Sequence, residues 1–175
     1  LLAAGLAFAA AAAPADTVFT VGNYPVEARA DNAVAAKDKA LADGQMAALR
    51  SLLKRLVPVT AHARLRAIQI AKPAQLLEGM RVRSERNSAT DYLASLDFSF
   101  QPNGIRALLQ REGLPFVEEQ APTLTLLAVG RTTPDTPVKD DPTWTAVWKG
   151  LDLEHALSPV KLEPFDARFD AAAVA

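Results

Sequence analysis

The stretch Tyr92-Leu93-Ala94-Ser95-Leu96-Asp97-Phe98-Ser99-Phe100 decides the fold, because it carries the clearest β-strand pattern in the chain. Apolar side chains occupy every second position, namely Tyr92, Ala94, Leu96, Phe98 and Phe100. Successive side chains of a strand point to opposite faces of a sheet. The pattern therefore predicts a half-buried strand that turns all of its aromatic side chains toward one core.

Further elements are predicted on both sides of this strand. Residues 17–21 form a strand that either continues, bulged, to residue 30 or folds back there as a hairpin. Residues 32–57 form the longest helix, with Asp31 as its N-cap and Pro58 just after its end. Another strand covers residues 80–86, and a second helix covers residues 103–112. The apolar run 123–129 is typical of a central strand that is covered on both faces.

The order of these elements is β-α-β-β-α-β, which is the split, or ferredoxin-like, arrangement. It predicts an α+β fold in which an antiparallel sheet has both helices, 32–57 and 103–112, on one face. This domain spans residues 16–130. Residues 131–142 contain three prolines and five charged residues and predict a linker. Residues 143–175 predict a less regular extension that is the start of a truncated C-terminal segment.

The first fifteen residues have the composition of a secretion signal. They run without charge through Ala13-Pro14-Ala15, whose small-x-small pattern is typical of a signal-peptidase site. Cleavage is expected before Asp16, and the mature chain is expected in the periplasm. After cleavage no stable membrane span is expected.

The bulk composition excludes several classes of function. The chain has 19 basic and 20 acidic residues, so no global field attracts nucleic acid, and no polybasic run favours a membrane surface. It has no cysteine, which excludes disulfides, thiolate metal ligands and a cysteine nucleophile. His62 and His155 are the only histidines, and neither lies in a metal-binding spacing. No metal or other cofactor is predicted.

One catalytic alternative depends on two Ser-x-x-Lys pairs. Ser51 with Lys54, and Ser158 with Lys161, have the spacing at which a lysine sits beside a nucleophilic serine in penicillin-binding enzymes. The Ser-Asp-Asn and Lys-Thr-Gly motifs that accompany this pair in those enzymes are absent. A serine hydrolase of the cell envelope is therefore the alternative, and no catalytic residue is assigned.

Two residue pairs are candidates for binding a partner. Arg81 and Arg83 share one face of a strand, where Glu85 is expected to join them, and their guanidinium groups can bind a carboxylate or phosphate. Trp144 and Trp148 lie one helical turn apart after the linker, and tryptophan is enriched at protein interfaces. Both pairs predict contact with an envelope protein.

The chain also resembles a known family. The residues that carry the resemblance are Val18-Phe19-Thr20-Val21-Gly22, Ala40-Leu41, Leu52-Leu53-Lys54-Arg55-Leu56, the Tyr92-to-Phe100 strand, Ile105-Arg106-Ala107-Leu108-Leu109, Gly113-Leu114-Pro115 and the Leu124-to-Val129 strand. Over residues 17–157 they are similar to the exported proteobacterial family catalogued as domain of unknown function 2066. The resemblance implies export and an α+β architecture. It brings no established activity, so no site residue is transferred.

The function that the sequence favours is a non-catalytic binding or assembly module of the periplasm. The envelope serine hydrolase is one alternative. A structural domain that supports a missing C-terminal half is the other.

Overall fold

The computed structural model describes residues 17–70, 72–130 and 139–165. Its strands are β1 (Thr20–Arg29), β2 (Leu77–Asn87), β3 (Asp91–Phe100), β4 (Leu124–Leu127), β5 (Val129–Gly130), β6 (Lys139–Asp140) and β7 (Val160–Glu163). Its α-helices are α1 (Ala33–Leu56), α2 (His62–Ala67), α3 (Pro102–Arg111) and α4 (Pro142–Lys149). Short 3-10 turns cover Thr17–Phe19, Val59–Ala61 and Pro73–Leu76.

A three-stranded antiparallel sheet, in the order β1-β3-β2, forms the centre of the fold. The middle strand is β3, the stretch from which the fold was predicted. Tyr92, Leu96, Phe98 and Phe100 are all buried on its inner face. The mixed α+β class and the antiparallel sheet are therefore confirmed.

Helix α1 covers the inner face of the sheet at close range. A stripe of small residues makes this possible: Ala36, Ala40, Gly44 and Ala48 are buried along one side of the helix. A Cβ atom added to Gly44 would lie 2.4 Å from Cγ1 of Val26 on β1, so only glycine fits at this crossing. Ile105, Leu108 and Leu109 of α3 belong to the same core.

The N-cap of α1 is one residue later than predicted. Asn32, not Asp31, has the extended backbone of an N-cap, and its side-chain oxygen accepts a hydrogen bond of 2.9 Å from the Ala35 N–H. Asparagine and aspartate are about equally good N-caps. Adjacent candidates of equal propensity cannot be separated by sequence, which explains the error.

The predicted central strand over residues 123–129 does not lie in the main sheet. β4 pairs with β7 in a separate, parallel, two-stranded sheet, and Leu124 is 58% exposed. A short apolar run has the same pattern in a buried strand and in a peripheral one, so the pattern could not decide between them. The four-stranded sheet of the split arrangement is thus not confirmed.

Regular elements also occur within residues 139–165. Residues 139–140 form β6, which pairs with β5, and Pro142 opens α4 as expected of a proline at the first helical position. Residues 131–138, the predicted signal over 1–15 and the last ten residues lie outside the described part of the chain. Among the described helices, none has the length and apolar character needed to cross a bilayer.

Candidate functional site

Two β-bulges bracket Asp97 on the outer face of the sheet. In β1 the register shifts between Val21 and Tyr24, so that Gly22 and Asn23 are the extra residues. In β2 it shifts between Val82 and Ser84, at Arg83. Asn23 has a φ of 51°, a left-handed conformation that asparagine tolerates better than most residues. Bulges re-aim side chains, and here both bulges aim polar groups at one carboxylate.

Asp97 is almost completely buried, at 7% exposure, and its carboxylate is hydrogen-bonded from both bulges. Its Oδ1 accepts hydrogen bonds from the Asn23 N–H, at 2.8 Å, and from Nε of Arg83, at 2.5 Å. Burial favours the neutral acid, but the bonds from Arg83 and Asn23 outweigh it and hold the pKa of Asp97 below its ordinary value. The same bond raises the pKa of Arg83, against the opposing effect of desolvation.

A second, partly buried carboxylate, Asp152, lies beside the first bulge. Its Oδ2 accepts a hydrogen bond of 2.8 Å from the Gly22 N–H, and its Oδ1 lies 2.5 Å from Nδ1 of His155. Burial again opposes ionisation, while the contacts with His155, Gly22 and Arg55 lower the pKa of Asp152 below its ordinary value. Through its hydrogen bond with Gly22, this carboxylate connects the segment that follows α4 to β1.

Arg55, from the last turn of α1, completes this junction. Its Nη2 donates to the carbonyl oxygens of Val18 and Thr20, at 2.8 and 2.6 Å, and its Nη1 lies 3.5 Å from Oδ2 of Asp152. Burial lowers the pKa of Arg55, although Asp152 acts in the opposite direction. One guanidinium group thus joins a helix, the first strand and the C-terminal segment.

A cleft of about 390 Å³ opens between the outer face of the sheet and this C-terminal segment. It is lined by the polar side chains of Arg81, Arg83, Asp97, Glu154 and His155 and by the hydroxyl groups of Thr20 and Ser99. Arg81 lies opposite Asp97 in the strand register, but it is Arg83 that donates a hydrogen bond to the Asp97 carboxylate. Arg81 forms no ion pair or hydrogen bond with any described side chain. Its whole guanidinium group is therefore open to a ligand, whereas Arg83 already uses its Nε atom to contact Asp97.

Glu85 does not join Arg81 and Arg83, contrary to the prediction. The bulge at Arg83 reverses the alternation of β2, so that Glu85 pairs with Ala94 on the helix side of the sheet. There its carboxylate accepts a hydrogen bond of 2.9 Å from Nζ of Lys37 on α1. The two arginines remain on the outer face, without the neutralising carboxylate that the sequence suggested.

The two tryptophans lie on an uncovered stripe of α4. Trp144, Val147 and Leu151 are spaced along one side of the helix and its C-terminal end, and they are 55%, 50% and 52% exposed. Trp148 lies on the same side but is partly buried. We call Trp144, Val147, Trp148 and Leu151 the α4 stripe.

The α4 stripe approaches the arginines at its C-terminal end. Leu151 and Lys149 line a smaller cleft, of about 190 Å³, together with Arg83, Asn23 and His155. Leu151 of the α4 stripe and Arg83 therefore line the same cleft, and Arg81 lines the neighbouring cleft, to which Arg83 and His155 also belong.

The four residues of the Ser-x-x-Lys pairs line neither of these two clefts. Ser51 and Lys54 are both exposed on α1, and no hydrogen bond connects their side chains. Ser158 is exposed, and Nζ of Lys161 pairs with Glu163 at 2.7 Å. Within residues 17–70, 72–130 and 139–165, no three histidine, aspartate or glutamate side chains are grouped so that they could hold a metal ion.

Sequence reasoning missed Asp97, Asp152 and His155 as members of this cluster. Asp97 was visible only as a polar residue on the open face of β3. Asp152 and His155 belong to a segment without periodic pattern, and Asp152 bonds to a residue 130 positions earlier in the chain. The interruption at Gly22-Asn23 was the one local signal, since a glycine inside a strand pattern suggests a bulge.

Comparison of the chain with models of protein families, with curated proteins and with solved structures gave no match.

Proposed function

We propose that this chain is a non-catalytic binding module of the bacterial envelope, which recognises a partner protein through the α4 stripe and the adjoining arginine cleft. One observation carries the proposal. Three large apolar side chains of the α4 stripe remain about half exposed, and one of them, Leu151, lines a cleft together with Arg83. Arg81, two residues from Arg83 on β2, has no partner among the described residues.

The α4 stripe supplies the apolar part of the proposed interface. Full burial of a large apolar side chain is worth about 1.5–3 kcal/mol, so covering the exposed halves of Trp144, Val147 and Leu151 gains roughly 1 kcal/mol each. Tryptophan is over-represented among residues that dominate binding energy. An apolar groove or helix of the partner would fit this stripe.

The arginine cleft supplies the specificity. Arg83 is held in place by Asp97, while Arg81 can form two parallel hydrogen bonds with a carboxylate. A partner whose apolar segment carries an aspartate or glutamate near one end would satisfy both parts of the region. An interface of this kind is selective, because a partner without the acidic group leaves Arg81 desolvated and unpaired.

We also propose that the chain is exported, that it is related to the family it resembles, and that its core has the split topology. The uncharged segment 1–15 and the Ala13-Pro14-Ala15 pattern support secretion to the periplasm. The resemblance to domain of unknown function 2066 supports the same compartment. A split β-α-β-β-α-β fold has its first three strands in the order β1-β3-β2, which is the order found here. We therefore retain the split arrangement as the proposed topology of the core.

The absence of catalysis is supported by the positions of the candidate nucleophiles. Both serines of the Ser-x-x-Lys pairs are exposed, and neither has a hydrogen-bonded base among the described residues. The other alternative, support of a further C-terminal part of the chain, would use the same α4 stripe. The experiment below separates it from a partner protein.

Photocrosslinking tests the proposal directly. We would place benzoylphenylalanine at Val147, within the α4 stripe, and at Val59, an exposed apolar position on another part of the surface, and irradiate intact envelopes. The proposal predicts one crosslinked protein from position 147, none from position 59, and loss of the product in Trp144→Ala and Arg81→Gln chains. Arg86→Gln, at an exposed arginine elsewhere on β2, should keep it. Crosslinks only within the chain would instead favour the structural alternative.

A further inference from the structure

A pocket with an apolar lining lies on a different part of the molecule, between α1 and the segment that includes α2. It has a volume of about 290 Å³. Its apolar lining consists of Leu53, Leu65, Ile68 and Ile70. Leu53 and Leu65 are buried and Ile68 is partly buried, so the apolar surface is recessed below the rim.

The rim of this pocket is entirely basic. Arg50, Lys54 and Arg66 line it, and all three are exposed. Among the described residues, none of the three side chains forms a hydrogen bond or an ion pair. Arg50 and Lys54 are four residues apart on α1, where like charges destabilise a helix by about 0.2–0.5 kcal/mol. The fold therefore maintains a cluster of cations that does not contribute to its stability.

The surrounding sequence strengthens this local charge. The 34 residues from 44 to 77 contain six lysines and arginines and no aspartate or glutamate, although the whole chain is nearly neutral. Two of the six serve the fold: Arg55 joins Asp152, and Arg64 donates to the carbonyl oxygen of Gly113 at 2.8 Å. The balanced total charge concealed this asymmetry in the sequence.

We propose that this pocket binds a single-chain anionic amphiphile, with its hydrocarbon chain against Leu53, Leu65, Ile68 and Ile70 and its anionic head between Arg50, Lys54 and Arg66. Guanidinium groups on two sides of the rim can hold a carboxylate or a phosphate by charge-assisted hydrogen bonds. The head group can therefore belong to a fatty acid or to a lysophospholipid, which present the same chemistry.

The shape of the pocket favours this ligand over a membrane surface or a protein helix. A docking membrane needs apolar side chains that protrude, whereas Leu53 and Leu65 are recessed. A bound helix would need a groove with anchors over several turns. A recessed apolar cavity at the lower end of the usual size range for small ligands, with cations only at its mouth, fits one flexible chain with one charged end. This site is separate from the partner surface proposed above and does not depend on it.

Methyl NMR of the whole chain, labelled at leucine and isoleucine, tests the proposal with decanoate as the probe. We expect saturable shifts at Leu53, Leu65, Ile68 and Ile70. Octyl glucoside, which has a chain but no charge, should bind at least about tenfold more weakly, because it cannot use the rim cations. A lysophosphatidylglycerol titration then shows whether a phosphate head binds more tightly than a carboxylate.

Two variants and a control make the result decisive. The double variant Arg50→Gln/Arg66→Gln should bind decanoate about tenfold or more weakly. Its methyl spectrum should remain that of a folded protein, since both side chains are exposed. Ile70→Asn, at the pocket edge, should weaken decanoate binding by making the lining polar. The control Arg29→Gln with Arg86→Gln removes the same charge from β1 and β2 and should change nothing. Equal affinity for octyl glucoside, unchanged binding in the rim variant, or association only with anionic vesicles would overturn the proposal.

Discussion

The Nε atom of Arg83 lies 2.5 Å from Oδ1 of Asp97. Arg83 lies within the β-bulge of β2, and Asp97 lies opposite the β-bulge of β1. This contact uses the Nε atom of Arg83 and the Oδ1 atom of Asp97. Because Asp97 engages Arg83, the neighbouring Arg81 is left without a carboxylate. The bulge at Arg83 also removes Glu85 to the other face of the sheet. Two local irregularities of the strands thus produce the exposed cation on which the proposed recognition depends.

Acid should destabilise the protein through Asp97 and Asp152. Both carboxyl groups have a pKa below their ordinary value in the folded chain. The unfolded chain binds more protons between the folded and unfolded pKa values, so stability rises with pH there. The contribution is complete above the unfolded pKa of about 4 and is lost as the pH falls through the lower folded pKa. Urea unfolding measured between pH 2 and pH 6 should show this slope.

The matched variant for this prediction is Asp43→Asn, since Asp43 forms only an exposed pair with Lys39 on α1. It should keep the slope, whereas Asp152→Asn should reduce both the slope and the stability at pH 7. An acid profile that is identical in the Asp152→Asn chain would show that this carboxylate is not linked to folding.

Replacement of Arg55 by methionine should lower the free energy of unfolding by about 3 kcal/mol. The change removes the donors for the Val18 and Thr20 carbonyl oxygens and leaves Asp152 with less compensation for its burial. Arg50→Met, on the same helix but at an exposed position, should change it by no more than about 0.5 kcal/mol. Unfolding of the two variants in guanidinium chloride measures both free energies. Similar values for the two variants would show that the contacts of Arg55 do not stabilise the fold.

Gly44→Ala should destabilise the fold, although alanine is the better helix former. A Cβ at position 44 would lie 2.4 Å from Cγ1 of Val26 and would force α1 away from β1. Overpacking of this kind costs about 1–3 kcal/mol, against about 1 kcal/mol gained in helix propensity. Gly79→Ala is the control, because its Cβ would meet nothing within 4 Å. Thermal unfolding should show a lower Tm for the Gly44→Ala chain alone.

Trp144→Ala should separate binding from stability. Trp144 is 55% exposed, so its loss should lower the free energy of unfolding by about 1 kcal/mol or less. Trp148 is more buried, and Trp148→Ala should cost more. If Trp144 belongs to the partner surface, the first variant abolishes crosslinking at position 147 while it remains folded. A Trp144→Ala chain that is less stable than Trp148→Ala would contradict this division of roles.

Periodicity predicted the parts of the fold that regular elements decide. The alternation in β3 and the helical stripe of α1 are long enough to identify both elements, and their small and aromatic residues indicated how they pack. β4 was misplaced because a short apolar run carries no information about its neighbours. The candidate cluster escaped prediction for a different reason. It depends on two bulges and on contacts between Gly22, Arg55 and Asp152, which are far apart in sequence and belong partly to irregular segments.

The junction at Arg55 also constrains the order in which the chain can mature. Arg55 and Asp152 are separated by 97 positions, and Gly22 and Asp152 by 130. Synthesis proceeds from the N-terminus, so the ribosome delivers β1 and α1 long before the carboxylate that completes them. Until then the early elements carry an uncompensated guanidinium at what becomes an interior position. A chain that stops before Asp152 therefore leaves the Arg55 guanidinium without its carboxylate and should be less stable when folded.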